Sequence, residues 1–188
     1  MSLQRSSETR RALNRTIPLA LALVALLVGV SSGPGAAGAS ADRQPGLVGR
    51  YFNNQDFTDP DQSVDLLKSL AQKWDKGRGN DWSGRWSGFL EGPTSGDVRF
   101  EAEALDGVRL VVGEEVVIDD LGGSGTPSGV VTMKEGEWVP IEVSFVSKRG
   151  QARLFLFWSW EGQPRTIVPN AALGHDAGDA LLKEIAAA

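Results

Sequence analysis

Apolar side chains recur at every second position in segment after segment of this chain, and that period restricts the fold more than any other feature. Val98, Phe100, Ala102 and Ala104 alternate with Arg99, Glu101 and Glu103; Val108, Leu110 and Val112 repeat the pattern, as do Val139, Ile141, Val143 and Phe145. Successive side chains of an extended backbone point to opposite faces, so each segment reads as a strand with one buried and one solvated face. Turn-forming residues separate the segments: Gly92-Pro93, Ser95-Gly96-Asp97, Asp106-Gly107, Gly113, Gly122 to Gly125, Glu135-Gly136 and Arg149-Gly150. Short strands with such punctuation roughly every 8–12 residues predict an all-β fold, an antiparallel β-sandwich or barrel. Asp106-Gly107 reads as a hairpin turn, because Asp and Gly tolerate the positive φ angles such turns require.

Three stretches depart from this period. Asp61 to Trp74 places Val64, Leu67, Leu70 and Trp74 at three- and four-residue intervals, which predicts a short amphipathic helix with Asp59 or Asp61 near its N-cap. Ala177 to Ala188, with Leu181, Leu182 and Ile185 on one side, predicts a C-terminal helical tail that needs a surface to dock on. Leu154-Phe155-Leu156-Phe157-Trp158-Ser159-Trp160 is apolar on both faces. It reads as a central strand, or as an aromatic interaction surface formed by Phe155, Phe157, Trp158 and Trp160.

The first 41 residues have a different character. Arg5, Arg10, Arg11 and Arg15 precede the apolar run Ile17 to Val30, and small residues follow, ending in Ala37-Gly38-Ala39 or Ala39-Ser40-Ala41. That order is the order of a secretory signal with A-x-A cleavage sites. The alternative is an uncleaved hydrophobic helix over residues 16–37 that anchors the chain with its N-terminus in the cytoplasm, although Gly33-Pro34-Gly35 interrupts it. Either way the domain is expected to be exported, to the periplasm or the cell exterior. Residues 1–41 hold four of the 19 basic and one of the 24 acidic residues, so the rest carries 15 against 23, a formal charge of −8. An acidic balance argues against a nucleic-acid partner. With no cysteine, the chain has no disulfide framework, thiol nucleophile or Cys-ligated zinc. His175, the one histidine, sits between Gly174 and Asp176 and is expected to be solvated.

The order of motifs resembles a known family. Gly46-Leu47-Val48-Gly49-Arg50-Tyr51-Phe52 is followed by Trp82 to Leu90 (WSGRWSGFL), by Pro93 with Ser95 to Phe100, and by Asp106 to Gly113 (DGVRLVVG). Val117-Ile118-Asp119, Glu135-Gly136 to Phe145, and Ala152 to Trp158 closing on Val168-Pro169 complete the series. Together they are similar to the protective-antigen-like (PA-fourteen) module of bacterial toxins, glycosidases and yeast flocculins, over residues 46–173. The expected organisation is therefore residues 1–41 as signal peptide or anchor, 46–173 as the β domain and 174–188 as tail. Read as structure alone, Trp86 beside Gly88 suits a large core side chain near a closely approaching backbone.

The resemblance implies a calcium site in sugar-binding members, held by two adjacent Asp residues in the turn that here reads Leu105-Asp106. Leu105 removes one of the two carboxylates, so no cofactor is expected and calcium is doubtful. Asp119-Asp120, before a Gly-rich loop, is a further candidate for an ion or sugar, beside Asp106. Trp74, Trp82 and Trp160 are candidates to stack on sugar rings. No nucleophile elbow, zinc-protease motif or phosphate loop is present, and no carboxylate spacing marks a catalytic pair, so an enzyme is not expected. Two functions remain: an adhesion or interaction module, anchored by its N-terminal segment as an accessory subunit among envelope proteins or in a membrane complex, or a carbohydrate-binding module.

Overall fold

The alternating segments are strands, packed as two antiparallel sheets. The computed structural model describes residues 43–74, 79–123, 125–148, 150–179 and 182–183; the predicted N-terminal hydrophobic helix lies outside them. In chain order the strands are β1 Arg43–Pro45, β2 Leu47–Phe52, β3 Pro60–Leu67, β4 Ala71–Trp74, β5 Trp82–Glu91, β6 Gly96–Ala104 and β7 Val108–Val112. There follow β8 Glu115–Asp120, β9 Ser128–Met133, β10 Trp138–Ser147, β11 Ala152–Trp160, β12 Gln163–Ile167 and β13 Leu173–Asp176. The larger sheet runs β1-β13-β5-β10-β7-β8, with β2 joining β5 to β3; the smaller runs β12-β11-β6-β9, with β4 also on β11.

Each period-two segment turns the expected face inward. Val98, Phe100, Ala102 and Ala104 of β6 are buried, with Leu154, Leu156 and Trp158 of β11 beside them. Across from these lie Val108, Leu110 and Val112 of β7 and Ile141, Val143 and Phe145 of β10, and one apolar cluster joins the two inner faces. Fully burying a Leu, Val or Phe side chain contributes roughly 1.5–3 kcal/mol, so this cluster holds the sheets together.

Asp61 to Trp74 is not a helix, which corrects the expectation from its apolar spacing. The segment is β3 and β4, joined through Lys68 to Leu70 and lying in different sheets. β3 pairs with β2, Leu47 opposite Leu67 and Val48 opposite Leu66, and β4 pairs with β11, Trp74 opposite Ala152. Leu67 and Leu70 are buried and Trp74 packs against the core, so the helix-like interval arises where the chain crosses between sheets. A helix would satisfy its own backbone groups and leave the edges of β2 and β11 unpaired. Of the predicted tail helix, Leu182 and Lys183 are described and are helical.

Trp86 owes its place to glycines on either side. Gly49 stands opposite it on β2 and Gly84 two residues before it; a Cβ at either would overlap the indole. The ring stacks on Trp74 at 5.7 Å and takes the edge of Tyr51 at 5.5 Å, and Trp74 in turn stacks on Phe145 at 5.4 Å. Gly88 does meet a closely approaching backbone, the Gly174 carbonyl.

Two further expectations are corrected. Asp106-Gly107 is not a hairpin turn, since β6 and β7 lie in different sheets and Gly107 is not among the positive-φ residues. Gly107 is required for a different reason: a Cβ there would overlap the carbonyl of Leu121. His175 is not solvated; it lies on β13, only 3% exposed, with Nδ1 3.0 Å from the Gly46 carbonyl oxygen, to which it donates.

Candidate functional site

The predicted site residues fall into four places: the Asp106 end, the outer face of the smaller sheet, a cleft at Trp160, and the core. β6 runs from Gly96 at one end of its sheet to Ala104 at the other, so Asp106, just beyond Ala104, and the Thr94 to Asp97 loop lie at opposite ends.

At the Asp106 end two of the three carboxylates, those of Asp106 and Asp119, are already engaged. Asp106 is 2% exposed, and its Oδ2 accepts the backbone N–H of Lys148 at 2.9 Å. The Lys148 ammonium donates to the carbonyls of Leu121 at 3.4 Å and Gly122 at 3.2 Å. Asp119 and Asp120 are neighbours on β8 and therefore point to opposite faces. Asp119, its side chain 63% exposed, pairs with Arg109 at 3.7 Å. Asp120 folds its carboxylate against Gly123, where a Cβ would overlap it, and its carbonyl accepts the Gly123 N–H at 3.3 Å. A hard cation such as calcium needs six to eight oxygen ligands converging on one point. These residues do not fit it: Leu105 supplies no carboxylate, Asp119 points away, and a lysine ammonium already occupies the carbonyls. No group of three or more acidic or histidine side chains placed to hold a metal occurs among the described residues.

The outer face of the smaller sheet carries Phe155 and Phe157, alternating with buried Leu154, Leu156 and Trp158. Both rings are covered by cations. The Arg165 guanidinium lies 3.3 Å from the centre of Phe157 and pairs with Glu101 and Glu103, each at 2.5 Å. Desolvation lowers the pKa of Arg165, but the hydrogen bonds it donates to Glu103 and Glu101 and their negative charges outweigh it, so the group is held above its ordinary value. Lys73 and Arg153 each lie 5.8 Å from the Phe155 ring. Trp158, 5% exposed, is a core residue and offers no surface to a partner.

Trp160 is different. β11 and β12 are joined by the two-residue turn Glu161-Gly162, with Gly162 at φ 79°. Trp158 pairs with Thr166 but Trp160 with Gln163, so Pro164 and Arg165 together oppose Ser159. This is a β-bulge, a device that re-aims side chains at sheet margins and tolerates proline, which has no ladder N–H to lose. Trp160, half-buried, packed against the edge of the core and resting edge-to-face on Trp158 at 5.5 Å, forms one wall of a cleft of about 590 Å³. Thr94, Ser95, Gly96, Asp97 and Glu161 line the remainder. Asp97 Oδ1 accepts from the Thr132 hydroxyl at 2.8 Å, and Ser95 Oγ accepts the Glu135 N–H at 3.1 Å, so the polar wall is tied to β9 and its following turn. Trp74 and Trp82, the other predicted stacking residues, belong to the aromatic core around Trp86. The polar wall was not recognisable in the sequence. Its one signal was the turn Ser95-Gly96-Asp97, which nothing in the sequence links to Trp160.

Comparison with known proteins agrees with the fold. Anti-sigma-I factor RsgI3 of Acetivibrio thermocellus is 28% identical over 148 residues, which are 74% of this chain and 23% of that protein. A solved structure of an anti-sigma factor domain-containing protein is 28% identical, with a TM-score of 0.65, covering 72% of this chain and 50% of that one. The Epithelial Adhesin 9 A domain of Candida glabrata, solved with Galβ1-4GlcNAc, has a TM-score of 0.60 at 9% identity, covering 74% of this chain and 93% of its own. The chain thus spans less than a quarter of the curated relative and about half of the solved one. The sequence model of the PA14 domain matches residues 43–171, and the chain belongs to the PA14 domain family.

Proposed function

We propose that this chain is an exported, non-catalytic recognition module that binds a saccharide in the Trp160 cleft without calcium. The observation that carries the reading is the cleft itself: an aromatic wall facing hydroxyls and carboxylates. A pyranose ring has one apolar face of C–H groups and a rim of hydroxyls. Trp160 offers area for the first, while Asp97 and Glu161 offer acceptors for the second. The cleft volume lies in the range of small-ligand sites, roughly 300–1,000 Å³. The engaged residues at the Asp106 end support calcium independence. Export rests on the N-terminal segment, Arg5 to Ala41.

A glycan array probed with the purified domain tests this reading. Binding is expected to survive EDTA, to disappear in Trp160→Ala, and to weaken several-fold in Glu161→Gln with the melting temperature unchanged. An array with no bound glycan, or Trp160→Ala binding as tightly as the parent, overturns it.

The match to only 23% of the length of an anti-sigma-I factor fits a second reading, in which the domain is one part of a larger assembly, held at the envelope by residues 16–37. Membrane extraction followed by native mass measurement tests it. A soluble monomer beginning near Asp42 overturns it.

A further inference from the structure

We propose that the ammonium of Lys148 is this domain's built-in cation, closing the loop after β8 in place of a bound ion. Three strand ends meet there: the β6–β7 link at Asp106, the end of β8 at Asp120, and the end of β10 at Ser147. Lys148 joins all three. Its backbone N–H satisfies the buried Asp106 carboxylate, and its side chain reaches the Leu121 and Gly122 carbonyls. Carbonyl oxygens at a strand end need donors, and a positive group placed among them also offsets their partial negative charge. An ammonium supplies that charge with three donors, where a hard cation would supply it by coordination.

The surrounding packing agrees. Gly107 lies so close to the Leu121 carbonyl that no side chain fits, and its own carbonyl accepts the Val146 N–H at 2.8 Å. The link is thus held to β10 and to the loop together. Leu105 replaces acid with hydrocarbon, so the negative charge an ion would need is also reduced. A single covalently attached charge substitutes for an ion that must be bound from solution, and stability no longer depends on ion concentration. The inference is independent of the Trp160 cleft, which lies at the other end of the sheet.

The test compares the parent and Lys148→Met by thermal melting and by backbone hydrogen exchange, each in EDTA and in millimolar calcium chloride. Lys148→Met keeps the backbone N–H to Asp106 and most of the aliphatic stem and removes the charge together with its donors to the Leu121 and Gly122 carbonyls. The parent is expected to melt at one temperature in both solutions. The variant is expected to melt lower by about 2–8 °C, the shift that the loss of roughly 1 kcal/mol produces in a domain of this size, with faster exchange at Gly122 and Gly123. Two results overturn the proposal: a parent melting temperature that rises with calcium, which needs no variant to observe, or a variant that melts and exchanges as the parent does.

Discussion

The glycines around Trp86 and Leu121 show how much of this fold depends on the absence of single side chains. Gly49 and Gly84 make room for an indole, whereas Gly107 makes room for a carbonyl. The distinction matters for substitution, because a side chain can move to a new rotamer and a hydrogen-bonded backbone cannot do so without moving its strand. Gly107→Ala is therefore expected to lower stability by about 1–3 kcal/mol, measured by urea unfolding; a value within 0.5 kcal/mol of the parent would contradict the contact. Asp106 and His175 carry a related lesson. Each lies among turn residues or polar neighbours, and each is buried with a backbone partner, the Lys148 N–H and the Gly46 carbonyl. The sequence reads Asp106 as a turn residue and His175 as solvated because their partners are distant in the chain, 42 and 129 residues away.

At the scale of elements, alternation was legible and crossing points were not. β6, β7 and β10 follow from the period of two, since a half-buried strand must alternate. β3 and β4 did not, because three- and four-residue intervals are shared by a helix and by a chain that changes sheets. What decides between them is whether neighbouring strands need partners, and β2 and β11 do. The β11–β12 hairpin is a second example: the sequence shows Trp158 and Trp160 two residues apart and on one face, and the structure buries Trp158 while leaving Trp160, at the strand end, half-buried beside a cleft. Gly162, at φ 79°, holds that hairpin closed. Gly162→Val places a β-branched residue in the left-handed region, at a cost on the order of 1–3 kcal/mol. It is expected to lower the melting temperature and to weaken saccharide binding through Trp160; unchanged melting would show that the turn adapts without strain.

For the whole molecule, the two sheets share one apolar cluster with members from β2 through β13. A chain of residues 42–188 is therefore expected to unfold in a single transition, with calorimetric and van't Hoff enthalpies equal. Two resolved transitions would mean that the sheets are not held by a common core.

The amino-acid sequence by itself determined the strand period, the all-β class, the family and the acidic, cysteine-free character of the domain. These follow from local geometry and from composition, which act through neighbouring residues. The tertiary structure alone decided which polar residues are buried, where the chain crosses between sheets, that Lys148 closes the Asp106 end, and that Trp160 rather than Trp74, Trp82 or Trp158 faces a cleft. The physical reason is the same in each case. Those outcomes depend on groups brought together from separate strands, and the free energy of a buried hydrogen bond or a close packing contact exists only once both partners are in place.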